Sequence, residues 1–119
     1  MNDFDHYKMM RRDKRFETMN LVSIEIYDGK GNGIYQGMCK TLNLSMSGML
    51  LEMYDDTPLQ LNYGINCEIG LHGSEVISLK GIIRWLHSIN DSITIGVQFL
   101  PLTKNTNDTL QLFLEQFKD

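Results

Sequence analysis

The chain has 119 residues, 42% of them hydrophobic and 22% charged, with a net charge of −4. That is enough chain for one domain whose core buries roughly two thirds of the unfolded surface, and no second domain is expected. The mild acidity argues against bulk DNA or RNA binding, which favours a basic domain, and no apolar run approaches the ~18 residues of a membrane span.

The chain opens MNDFDHYKMMRRDKRF, with acids before bases and no apolar h-region, so it does not read as a secretory signal and a cytoplasmic location is expected. Five of the eleven Lys and Arg (Lys8, Arg11, Arg12, Lys14, Arg15) fall between positions 8 and 15, against one acid, Asp13. That window carries +4, which leaves six bases and fourteen acids elsewhere, a net of −8. A solvated N-terminal arm over residues 1–15 accounts for such a run. An anion clamp accounts for it equally, because arginine's planar fork grips phosphate oxygens or the O6 and N7 edge of guanine bidentately, and also stacks on bases.

From residue 16 onward the pattern is that of strands. TMNLVSIEIY (18–27) alternates Val22, Ile24 and Ile26 against polar neighbours and predicts a half-buried strand. DGKGNG follows as a hairpin loop, since GxxxxGK[ST] spacing is absent, and IYQGMCKTLNLS predicts a second strand. Further strands are expected at Gly48 to Tyr54, about Asn66 to His72, Val76 to Ser88, and in SITIGVQFL, where Ile93, Ile95, Val97 and Phe99 share a face. After Pro101, the spacing of Leu110, Phe113, Leu114 and Phe117 predicts an amphipathic helix over about 104–118, with a Thr or Asn cap and Asp108 in its first turn. Six short antiparallel strands and a terminal helix predict an all-β domain over 16–119: a six-stranded antiparallel β-barrel, closed or split, with a C-terminal α-helix.

NLSMSG, at residues 43–48, is the second candidate for a site. Asn, Ser and Gly are turn formers, so a strand-to-strand turn explains them. The same residues suit a ligand: Asn43 offers an amide donor and acceptor, Ser45 a hydroxyl, and Gly48 a backbone that can be approached closely. Met9, Met10, Met19, Met38, Met46, Met49 and Met53 fall near this motif or the basic run, where flexible thioethers suit an adaptable surface and ordinary core packing explains most of them.

Taken together, RxxxR (Arg11 to Arg15) before the first strand and (D/N)xSxxG (Asn43, Ser45, Gly48) after the second resemble the PilZ family of bacterial cyclic diguanylate receptors. GIIRW (81–85) and IGVQF (95–99) look like the family's late strands. The resemblance implies a six-stranded barrel with a C-terminal helix and a cyclic di-GMP (c-di-GMP) site. Arg11 and Arg15 would hold phosphate and guanine, with Arg12 as an extra contact. Asn43 would recognise a base, Ser45 would make a polar contact, and Gly48 would allow close approach. It further implies a non-catalytic receptor with no cofactor, whose N-terminal arm orders over the barrel and alters a surface for a downstream protein partner. Motility, chemotaxis, adhesion or biofilm formation would be the output, and the chain would be a monomer or a ligand-dependent dimer. A hybrid cyclic GMP-AMP stays compatible; cyclic diadenylate is disfavoured because adenine N6 is a donor.

Other residues are weighed against plainer roles. Trp85 on the fifth strand is core or barrel cover in the plain reading and a base-stacking platform in the functional one. His72, His87, Cys39 and Cys67 lack metal-site spacing, so no metal is expected. Ser45 is not in GxSxG and no residue pattern would activate it, so no enzyme is expected. Two other classes stay open. One is a PilZ-fold interaction protein acting without nucleotide in pilus or flagellar assembly; the other is a small barrel on single-stranded nucleic acid, which would need aromatic platforms along a basic groove.

Overall fold

The computed structural model describes residues 16–17 (backbone only), 21–70 and 76–115. Among the described residues, seven strands and one helix follow in chain order: β1 (Phe16–Glu17), β2 (Leu21–Tyr27), β3 (Gly33–Leu44), β4 (Gly48–Met53), β5 (Gly64–Gly70), β6 (Val76–Ile89), β7 (Ser92–Phe99) and α1 (Lys104–Glu115).

All pairings are antiparallel. The order β3-β2-β5-β6-β7-β4 returns to β3 through the β3–β4 pairing, so six strands close into a barrel. Closure leaves none of the six with a full free edge, which removes the usual template for edge-to-edge aggregation. β1 is an addition to the six expected strands. It pairs with the end of β3, Phe16 opposite Leu44 and Glu17 opposite Asn43.

The alternation in the sequence is the alternation of burial. Val22, Ile24 and Ile26 from β2, Ile65, Cys67 and Ile69 from β5, and Ile95 and Val97 from β7 are all buried in one apolar cluster. Burying each such side chain contributes roughly 1.5–3 kcal/mol. β5 begins and ends two residues before its expected span, because Ile65, Cys67 and Ile69 set its inward phase; His72 lies outside the described residues. Met49 and Met53 are core residues, while Met38 is exposed, so packing rather than an adaptable surface accounts for the first two.

Asp28 organises the β2–β3 loop, its carboxylate accepting from the backbone N–H of Lys30 and Asn32 at 2.9 and 3.0 Å. α1 packs against β6 through Leu110, Phe113 and Leu114; Phe117 lies outside the described residues. Its cap is Thr103, whose hydroxyl accepts from the Thr106 N–H at 3.2 Å. That start at Lys104 leaves no acid in the first turn, so Asp108 sits beyond the dipole position expected for it. No helix among the described residues is long and apolar enough to cross a membrane.

Candidate ligand-binding site

NLSMSG forms the tight connection from β3 to β4. Ser45 is 1% exposed and its hydroxyl is used within the turn: it accepts from the N–H of Ser47 and of Gly48, both at 3.2 Å, and donates to the Gly48 carbonyl. The backbone closes the same turn, Ser45 N–H donating to the Gly48 carbonyl at 2.9 Å. The Ser47 carbonyl in turn accepts from the Phe99 N–H at 2.8 Å, tying the turn to the end of β7. Ser45 therefore shapes the motif, as the turn reading of the sequence anticipates.

Two β-bulges decide what lies outside the barrel here. In β3 the register shifts between Thr41 and Asn43. Cys39 and Thr41 are buried, and strict alternation would send Asn43 inward after them; the extra residue, Leu42, puts Leu44 into the core instead and leaves Asn43 half-buried on the outer face. In β6 the register shifts between Ile83 and Trp85. Ile77, Leu79, Gly81 and Ile83 are buried; with Arg84 as the extra residue, Leu86 takes the next inward position and Trp85 turns outward. Sequence alternation alone does not reveal either switch.

The registers then align a single row. Asn43 lies opposite Leu50, Leu50 opposite Gly96, and Gly96 opposite Trp85, across β3, β4, β7 and β6. Opposed residues share a face, so this row is outer throughout. Leu50 is only 6% exposed, yet it is absent from the core cluster, in keeping with an outward position. Gly96 leaves the row without a side chain between Leu50 and the indole. A second row, two residues along β7, joins Gly48 to Gln98 and Gln98 to Ile82. Trp85, half-buried and outside the core cluster, stacks on His87 with centroids 5.8 Å apart and planes at 22°.

Arg84 and Gln98, absent from the residues singled out in sequence, also belong to this face. The Arg84 Nε donates to Gln98 Oε1 at 2.9 Å and its NH1 donates to Asn62 Oδ1. Their sequence separations of 14 and 22 hide both contacts from any local pattern; the signal available was a lone base beside the lone tryptophan. Arg11, Arg12 and Arg15 lie outside the described residues. Arg15 is nevertheless covalently joined to Phe16, whose register partner Leu44 is next to Asn43.

A cavity of about 570 Å³ lies elsewhere, between the β4–β5 loop and the β6–β7 hairpin. Asp55, Asp56 and Asp91 line it with Leu59, Leu86 and Ile93, and among the described residues no base does. The hydroxyl and N–H of Thr57 hold the Asp55 carboxyl below its usual range, so it stays ionised. Three carboxylates with no base among the described lining residues make this cavity unfavourable for an anion. Among the described residues no group of three His, Cys, Asp or Glu could hold a metal ion.

A family model described as PilZ domain matches residues 10–116. The chain belongs to the PilZ domain family. No curated protein sequence matches it. The PilZ fold is shared with solved structures. It is similar to the PilZ domain of YcgR from Escherichia coli, solved with c-di-GMP, at 14% identity and a TM-score of 0.68, covering 90% of each chain. It is similar to the PilZ domain of CeSA from a cellulose-synthesizing bacterium, at 17% identity and 0.61, covering 87% of this chain and 97% of that one. It is also similar to the Bacillus subtilis inhibitor of motility MotI, at 12% identity and 0.64 over 87% of this chain. The PilZ chain described here spans half of MotI's length.

Proposed function

We propose that this PilZ domain is a non-catalytic receptor for c-di-GMP. One observation carries the reading: the outer row from Asn43 to Trp85 adjoins the strand, β1, into which the RxxxR run leads. The barrel supplies an amide, an indole and two glycine backbones; the basic run supplies guanidinium groups for two phosphates and for guanine edges. The neighbouring PilZ domain of YcgR, solved with c-di-GMP, supports that ligand. Ser45 contributes by holding the turn, and Gly48 by its place at the turn's end.

Residues 1–15 carry five bases and three acids, +2 overall. Ligand binding supplies counter-charge and stacking planes for this run at an entropic cost, and its arrangement over the barrel then exposes or hides a surface for a cytoplasmic protein partner or a second copy. Control of motility, chemotaxis, adhesion or biofilm formation would follow from that partner.

Titration calorimetry of the purified protein with c-di-GMP tests the reading. Binding at micromolar concentration or tighter is expected, with losses in Arg11→Ala, Arg15→Ala and Asn43→Ala. The double Arg11→Lys, Arg15→Lys variant keeps the charge and should lose most binding, because an ammonium lacks the planar fork. No heat of binding in the wild type would favour a nucleotide-free interaction protein. Competition by single-stranded oligonucleotides that strengthens with their length would favour the nucleic-acid barrel.

A further inference from the structure

Arg84 lies in GIIRW, but neither the RxxxR run nor the NLSMSG turn gives it a role. It is the extra residue of the β6 bulge, and with Ile83 fully buried and Leu86 packed on the core, Arg84 and Trp85 project together from the outer face. Its guanidinium is tethered at two points, Nε to Gln98 and NH1 to Asn62. Both acceptors are neutral amide oxygens, so among the described residues no carboxylate offsets the charge. Asn62 adopts φ 75°, a left-handed conformation that asparagine tolerates, and its N–H donates to the Ile83 carbonyl at 2.7 Å, which anchors the acceptor to the bulge itself. A guanidinium has five N–H donors, and two of them serve these tethers.

Gln98 lies opposite Gly48, so the tethered guanidinium stands on the order of 10 Å from the turn by strand spacing. A half-buried arginine held in place by its neighbours has already given up much of its rotamer freedom, which lowers the cost of using its remaining donors on a ligand. Those donors form a fork matching two acceptors side by side, as on O6 and N7 of guanine.

Resting on the c-di-GMP reading above, we propose that Arg84 reads the O6 and N7 edge of one guanine lying beside Trp85, making it a specificity-determining residue carried by the barrel. The basic run before β1 would serve the other half of the ligand. Arg84 then sets the preference for two guanines over one.

The test compares c-di-GMP with the hybrid cyclic GMP-AMP, which carries the same ring and phosphates with one guanine replaced by adenine. Wild-type protein should prefer c-di-GMP by about tenfold or more. Arg84→Gln should bind c-di-GMP more weakly and lose that preference, and Arg84→Lys should lose it too despite its charge. Thermal unfolding without ligand reports whether each variant folds; should Arg84→Gln fail, the lysine variant decides alone. An unchanged preference in the folded variants, or equal weakening toward both nucleotides, overturns the inference, since a structural or purely electrostatic role moves both alike. Absence of c-di-GMP binding in the wild type overturns the underlying reading instead.

Discussion

Asn43 and Trp85 lie on the same cross-strand row, linked through Leu50 and Gly96 on the outside of the barrel. Trp85 is the chain's one tryptophan. Its emission is therefore a reporter for the whole row. Adding c-di-GMP should change its intensity or wavelength along a saturable curve, and Asn43→Ala should move that curve to higher ligand concentration. A titration that leaves the indole signal flat while calorimetry records binding would put the ligand elsewhere on the protein.

Ser45→Ala is expected to act on stability before it acts on binding. The substitution removes the acceptor for two backbone N–H groups and the donor to the Gly48 carbonyl in a buried turn. Leaving buried groups unsatisfied costs about 1–3 kcal/mol. Each kcal/mol should lower Tm by about 4 °C in a domain of this size. Calorimetric or circular-dichroism melts check it, and an unaltered Tm would contradict the buried network.

Gly81 is required by close packing. A Cβ at that position would stand 2.5 Å from Val97 Cγ1 and 2.7 Å from the Gln98 carbonyl oxygen. The valine can turn; the backbone carbonyl belongs to the β6–β7 ladder and cannot give way without moving the strand. Gly81→Ala should cost about 1–3 kcal/mol, read as a lowered urea midpoint. Gly64→Ala, where an added Cβ meets nothing within 4 Å, is the matched control and should be far milder.

Cys39 and Cys67 are free thiols inside the core, and burial pushes both up to about 12 from 9.0. Below pH 9 they are protonated in both folded and unfolded chains, and the protonated core contributes in full. Between pH 9 and about 12 the unfolded chain ionises them while the folded chain does not, so stability falls as pH rises, by about 1.4 kcal/mol per pH unit for each thiol. Urea unfolding at pH 8, 9 and 10 should show this slope, and Cys39→Ala should reduce it by about half, leaving the share of Cys67. A thiol reagent at pH 8 should label neither residue until urea is added.

Much of the barrel was legible because period-two alternation is a local property. Val22, Ile24 and Ile26 state their face within five residues, and Leu110, Phe113 and Leu114 state theirs within two helical turns. The two bulges were not legible. GIIRWLHSI allows either Trp85 or Leu86 as the next inward residue after Ile83, and only the register against Val97, Gly96 and Ile95 selects Leu86. Likewise the spacing of Asn43, Ser45 and Gly48 marked a site, while the division of labour within it needed coordinates. Ser45 is consumed by the turn, and the surface beside Asn43 is completed by residues from three other strands. The seventh strand was missed because two residues are too few to carry a period.

The bond from the Phe99 N–H to the Ser47 carbonyl has a mechanical consequence. Phe99 closes β7, the Leu100 N–H is held by the Lys80 carbonyl at 2.8 Å, and the cap of α1 follows at Thr103. The turn of the motif and the lead-in to the helix are thus stitched to one another over five residues of chain. The turn cannot shift away from β7 without breaking the Phe99–Ser47 bond or drawing on a lead-in that β6 already holds at Leu100.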